Sequence, residues 1–331
     1  MNKIFFHAFL FLFIHTAAFG QHSVDSISET EVGRMLHYLA SDSLKGRGNY
    51  TPELHKAARF ITGEFTKAGL QPFFTSFVQP FGASNKNLKE KTNDTTGKYN
   101  ARKVLLNVVG LLPGKTKPHE AVLFSAHYDH LGINEPEDAD RIYNGANDNA
   151  SGTAAVLALA HYFSKKEDNA RTLIFCAFSG EELGLLGSQA FVKAINPGMI
   201  KAVINIEMIG QTDAVGKNSF FVTGAPLSDM ASILRKNLAG TGVKIKQEPR
   251  PEKHLFQRSD NYPFAKKGIP AHSIMCSDDE DACYHKPCDA YGRIDVVNMT
   301  TIIRAIATAS QGIIDGADTP LPITGLEGIR R

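Results

Sequence analysis

The chain has 331 residues, 43% apolar and 21% charged, a globular composition that excludes disorder over most of its length. Lys and Arg total 36 against 34 Asp and Glu, so the net charge is only +2, without the basic excess or stripe of a nucleic-acid binder. No apolar run of about 18 residues follows the N-terminus, which excludes a polytopic membrane protein.

Asn2-Lys3, the nearly unbroken apolar run from Ile4 to Ile14 and the small residues of Ala18-Phe19-Gly20 read as an export signal over 1–20. The mature chain is then expected to start near Gln21 as a periplasmic or secreted protein, with no stable membrane insertion after cleavage. One domain is expected over 21–316, followed by a loosely packed tail over 317–331. Residues 29–42 predict a helix with Val32, Met35, Leu36 and Leu39 on one face. A second helix starts at Thr51 as N-cap and Pro52 in the first turn, and stops at Gly69. Its stripe is Leu54, Ala58, Ile61, Phe65 and Ala68. Residues 84–103 are polar and rich in Lys and Asn, an exposed loop. Strand-like runs follow at 104–112, 121–126, 172–178, 202–206, 219–223 and 271–275. Helical segments lie at 151–164, 183–194, 228–238 and 296–314. This alternation predicts an α/β fold, a mixed but mainly parallel central sheet flanked by helices.

Of the four cysteines, Cys176 sits in an apolar run and is expected to be free and buried. Cys276, Cys283 and Cys288 fall within 13 residues, so at most one bridge forms among them. Cys276–Cys283 is the preferred pairing, and a zinc knuckle is disfavoured because no CxxC pair is present.

In such sheets the active site lies beyond the carboxyl ends of the strands. His127-Tyr128-Asp129 follows the run 121–126, Glu181-Glu182 follows 172–178, and Glu207 ends 202–206. Asp148 lies in a loop just before a helix, and His285 lies beyond 271–275. A lone histidine or a lone Glu-Glu pair would be read as structural or solvated. Five loop or strand-end positions offering imidazole or carboxylate suit zinc, which takes those donors and keeps a position open in catalytic sites. The Glu181-Glu182 pair stands between a strand and the apolar Leu183-Gly184-Leu185-Leu186, so its two carboxylates can point in different directions.

Taken together, the motifs resemble the secreted co-catalytic zinc aminopeptidases, relatives of glutamate carboxypeptidases, glutaminyl cyclases and the non-enzymatic transferrin receptors. The segments that carry the resemblance are Ser125 to Gly132, Asn144 to Gly152, Phe178 to Gly184, Asn205 to Gly210 and Tyr284 to Asp289. Leu39 to Arg47 is similar to the segment that opens many members' domains. The resemblance covers roughly Glu31 to Gly316. It implies the zinc-exopeptidase fold (phosphorylase/hydrolase-like), peptide substrates and two zinc ions per chain. His127 and His285 would each bind one metal, Asp148 would bridge both, and Glu182 and Glu207 would complete the shells. Glu181 would be the general base, and Asp129 would orient His127 through its second ring nitrogen. One residue departs from the family pattern: the fourth motif usually carries Asp where this chain has Glu207, which points to a weaker second site.

The leading expectation is a metallo-aminopeptidase. A glutaminyl cyclase-type acyltransferase with one zinc and a receptor-like binding module are the alternatives. A carboxypeptidase would need cations for a substrate carboxylate, for which Arg250, Lys253 and Arg258 lie in the right region.

Overall fold

The structure is a computed structural model, and it describes residues 23–82, 104–133 and 141–326. The export signal at 1–20 and the polar loop at 84–103 lie outside the described residues. In chain order the helices are α1 (Glu29–Leu39), α2 (Pro52–Lys67), α3 (Gly152–Lys166), α4 (Leu186–Ala194), α5 (Met230–Asn237), α6 (Tyr262–Ala265) and α7 (Val296–Ile314). The strands are β1 (Gln71–Pro72), β2 (Val78–Gly82), β3 (Val104–Leu112), β4 (Lys117–His127), β5 (Gly132–Ile133), β6 (Ile142–Tyr143), β7 (Arg171–Phe178), β8 (Ile200–Glu207), β9 (Ser219–Val222), β10 (Lys244–Lys246) and β11 (Ala271–Met275).

Among the described residues one nine-stranded sheet runs β1-β3-β7-β4-β8-β11-β9-β10, with β2 on β3. Its centre, β7-β4-β8-β11, is parallel. The β3·β7 and β9·β11 pairs are antiparallel, so the sheet is mixed, as the alternating pattern predicts. Side chains alternate across it. Val122 and Phe124 face the layer of α1, α2, α3 and α7, while Leu123, Ile174 and Phe178 face that of α4 and α6. Both faces are thus covered, which is why the central strands read as continuous apolar runs. The short strands β2 and β10 were not predicted. Pro80 weakens the strand signal of β2, and Lys244–Lys246 is too short for its alternation to stand out, so pairing with an already formed edge makes them strands.

The caps follow the sequence. Thr51 Oγ1 accepts from Leu54 N at 3.2 Å, Pro52 occupies the first helical position, and Gly69 takes φ +76° just past α2. Helix α1 ends at Leu39, three residues before the predicted 42. Helix α4 starts at Leu186 instead of 183, because residues 181–185 form a tight turn in which Gly184 N and Leu185 N donate to Glu181 O.

Two expectations need correction. The bridge joins Cys283 to Cys288, not Cys276 to Cys283. Cys276 follows β11 and is buried in the core, whereas Cys283 and Cys288 flank the turn that carries His285, with Cα atoms 5.4 Å apart. Cys176 is free and buried. The tail is not loose over 317–326. Arg171 donates to Asp318 O and Thr319 Oγ1, Leu321 N to Asp229 Oδ1, and Ile323 is buried. Among the described residues no helix is long and apolar enough to cross a membrane.

Candidate metal centre

The parallel strands deliver their C-terminal ends to one edge of the sheet. His127 ends β4, Glu181 and Glu182 follow β7, and Glu207 ends β8. Asp148 comes from the 146–151 turn before α3, and His285 from the disulfide-closed turn. His127, Asp148, Glu181, Glu182, Glu207 and His285 meet there.

Asp148 is the hub. Its Oδ1 lies 3.3 Å from His127 Nε2, and its Oδ2 lies 3.1 Å from His285 Nε2. His127 Nε2 is also 3.2 Å from Glu207 Oε1, and His285 Nε2 is 3.5 Å from Glu182 Oε1. Among the described residues two donor groups result, one of His127, Asp148 and Glu207, the other of His130, Asp148, Glu182 and His285. Glu207 turns inward, and its second oxygen accepts from Ser259 Oγ at 2.8 Å.

Asp129 differs from expectation. His127 Nδ1 donates to the Asp129 main-chain carbonyl at 3.1 Å, while the carboxylate is 3.8 Å away. The carboxylate instead accepts from Asn49 Nδ2 at 2.7 Å and from the backbone amides of Glu181 and Glu182 at 3.2 and 3.3 Å. Asp129 therefore fixes the turn that carries the glutamate pair.

Sequence reasoning passed over three residues. His130 belongs to the first motif but was given no role. Arg47, fully buried, donates to the carbonyls of Leu39, Tyr128, Asn144 and Gly145 at 2.5–2.9 Å, tying the His127 loop to the Asp148 loop. Asp289 accepts from Asn147 N and Asp148 N at 2.8 and 3.0 Å and so orients the hub. The similarity of Leu39 to Arg47 to family members was the available signal for Arg47. Apart from Leu39, what it holds is set across 81 to 98 residues of chain.

The electrostatics are one-sided. Burial raises the Glu181 carboxyl well above its usual range, and burial likewise raises Glu207. Burial would also raise Asp148, but hydrogen bonds from His127 and His285 outweigh it and hold it well below. Burial lowers His285, yet its bonds to Asp148 and Glu182 carry it up to about 10. Burial pushes Asp260, beside this cluster, up to about 7. Among the described residues no Lys or Arg forms an ion pair with Asp148, Glu181, Glu182 or Glu207. Carboxylates without a Lys or Arg partner, with imidazole beside them, are the donors a divalent cation takes.

A cleft opens onto the site, with Met208, Leu255, Met275 and Tyr284 as apolar lining and Glu181 and Asp279 as acidic lining. The cations proposed for a substrate carboxylate are already paired. Arg250 bonds Asp278 at 2.7 and 2.8 Å, Lys253 bonds Asp279 at 2.9 Å and also Glu280, and Arg258 bonds Asp279 at 2.7 Å.

A family model described as peptidase family M28 matches residues 107–310. A probable zinc metalloprotease of Pyrenophora teres f. teres is 28% identical over 233 residues, covering 66% of this chain and 47% of that protein. The chain spans about half the length of the curated relatives it matches. The fold is that of BSAP, a zinc aminopeptidase from Bacillus subtilis, with a TM-score of 0.69 at 17% identity over 88% of this chain and 97% of that one. Porphyromonas gingivalis glutaminyl cyclase superposes with a TM-score of 0.63 at 17% identity, over 85% and 97% of the two chains.

Proposed function

Because the chain belongs to peptidase family M28, we propose that it is a zinc-dependent exopeptidase, an aminopeptidase that removes N-terminal residues from peptides. The observation that carries this reading is Asp148, whose two oxygens face two separate donor groups while the Glu181 carboxylate stands outside both. The donors are imidazole nitrogens and carboxylate oxygens, the set zinc takes, so the residues fit the metal. His127, Asp148 and Glu207 would hold one ion, and Asp148, Glu182 and His285 a second, giving two per chain. Zinc bound there would polarise the scissile carbonyl and make water more acidic.

The chain's own residues do the rest. Glu181 lines the cleft, takes the proton of the attacking water and returns it to the leaving amine. Asp129, through the amides of Glu181 and Glu182, keeps one carboxylate on the metal side and the other on the substrate side. The acidic lining of the cleft suits a substrate α-ammonium. The pairing of Arg250, Lys253 and Arg258 supports this reading over a carboxypeptidase, which needs a free cation. A one-zinc cyclase would leave one donor group without a task. The Cys283–Cys288 bridge supports export, since disulfides persist in oxidising compartments.

The test pairs metal analysis with a substrate panel. Phenanthroline should abolish hydrolysis of aminoacyl substrates, added zinc should restore it, and N-blocked peptides should resist. Full turnover by metal-free protein, or equal cleavage of N-blocked peptides, would overturn the proposal.

A further inference from the structure

His130 is not needed to build a five-residue, two-ion centre, yet its ring is fully buried inside one. Its Nδ1 lies 2.9 Å from Glu182 Oε1 and 3.8 Å from Asp148 Oδ2. His285 Nε2 lies 3.5 and 3.1 Å from the same two oxygens. All six edges among these donor atoms lie within 4.8 Å, and the four imidazole-to-carboxylate edges measure 2.9 to 3.8 Å. A tetrahedron of donors about 2.0–2.1 Å from a zinc ion has edges of about 3.3–3.4 Å, the centre of that range.

Two further observations concern the ring. Nε2 is buried with no hydrogen-bond partner among the described residues, a cost that an apolar side chain of similar shape would avoid. The Nδ1 end must therefore account for an imidazole at this position. The facing loop also makes room for it. Gly145 has φ +53°, and a Cβ there would lie 2.2 Å from the Asp148 carbonyl oxygen and 2.5 Å from the His130 ring. Arg47 fixes both sides of the gap, since its guanidinium bonds Gly145 O and its carbonyl accepts from His130 N at 3.2 Å.

Resting on the metal-centre reading above, we propose that His130 Nδ1 is a fourth protein donor to the Glu182–His285 position. That position is then closed, with two imidazoles and two carboxylates. The His127–Asp148–Glu207 position keeps only three protein donors. Structural zinc sites are four-coordinate with protein ligands alone, and catalytic ones keep a coordination position open. The two halves therefore differ in task. The closed half fills first and holds its metal, and exchange and substrate access belong to the open half.

The test uses the full mature chain, zinc, and X-ray absorption at one zinc per chain, where outer-shell scattering counts imidazoles. Wild type should show two imidazoles on the first-bound zinc. His130→Phe keeps the ring shape and should show one, with zinc affinity of the tighter step lowered on the order of 10²-fold or more. His130→Asn serves as a second variant should the first fail to fold. One imidazole in wild type, or a tighter step unchanged in either folded variant, overturns the fourth-donor proposal while leaving a metal centre in place. Absence of any zinc binding in wild type would instead overturn the metal-centre reading, and this proposal with it.

Discussion

Two buried carboxylates, Glu64 and Asp148, each sit at the centre of a polar cluster, and their surroundings differ in one respect. Glu64, on α2 and 1% exposed, accepts from Arg34 Nη1 and Nη2 at 3.2 and 3.0 Å, from Lys67 Nζ at 2.9 Å and from His161 Nε2 at 3.1 Å. Burial alone would raise its pKa, but the bonds from His161, Arg34 and Lys67 outweigh burial and hold the carboxyl well below its usual range. The chain supplies all the positive charge this site needs. Around Asp148 the neighbours are other carboxylates and three imidazoles, with no Lys or Arg paired to them among the described residues, so the acid groups outnumber the imidazoles that can offset them. Buried acid in surplus marks the working site, and buried acid in balance marks a joint between helices.

The largest expected effect falls on the surplus side. Glu181→Gln should lower kcat by about 10²–10⁴-fold with zinc content unchanged, measured by turnover and metal analysis of the same preparation. Loss of zinc, or a rate near wild type, would mean that Glu181 and Glu182 have exchanged roles. Next comes the open half. Titration of wild type with zinc should give two steps, and Glu207→Ala should abolish the weaker one. Two unchanged steps would remove Glu207 from the donor set.

On the balanced side, Glu64→Gln should cost about 1–3 kcal/mol of stability in urea denaturation, with zinc binding and turnover unaffected. The lower part of the range for breaking a buried ion cluster applies because Arg34 and Lys67 are partly solvated. The sign with pH follows from the depressed carboxyl. Its contribution is fully present above the unfolded value of about 4.3 and is lost as pH falls through the folded value, so acid unfolding should start earlier in the variant. A drop in zinc affinity in Glu64→Gln would blur the distinction between the two clusters. The smallest effect on zinc binding and turnover among the site's own parts is expected from reducing Cys283–Cys288. A bridge over so short a loop contributes about 2 kcal/mol. Because it closes the His285 turn, reduction should raise the zinc dissociation constant several-fold, whereas Glu64→Gln should leave that constant unchanged. Unchanged zinc affinity after verified reduction would show that the turn holds His285 without the bridge.

What can be read along the chain is whatever repeats along the chain. The period of Val32, Met35, Leu36 and Leu39, the Thr51-Pro52 start and the apolar runs of β4, β7 and β8 give elements within a few residues of those observed, since hydrophobic period and cap chemistry are local. The metal-centre candidates His127, Asp148, Glu182, Glu207 and His285 were likewise visible, each in its own motif at a strand end or loop. Glu64 was not. It lies inside the α2 stripe, between Ile61 and Phe65, and nothing local separates it from an ordinary solvated glutamate.

Sequence alone, then, determined the α/β alternation, the strand-end placement of acid and imidazole, and the family resemblance, because these depend on the order and spacing of residues. Tertiary structure alone decided the partners. It chose Cys288 over Cys276 for Cys283, because Cys276 faces the core. It turned the Asp129 carboxylate from His127 to the amides of Glu181 and Glu182, and sent the Arg47 guanidinium across to Asn144 and Gly145. It also brought His130 to Glu182 across 52 residues of chain. The physical reason is common to all four. A hydrogen bond or coordination contact is fixed by distances of a few ångströms in space, and separation along the chain says nothing about those until the sheet has brought its loops to one edge.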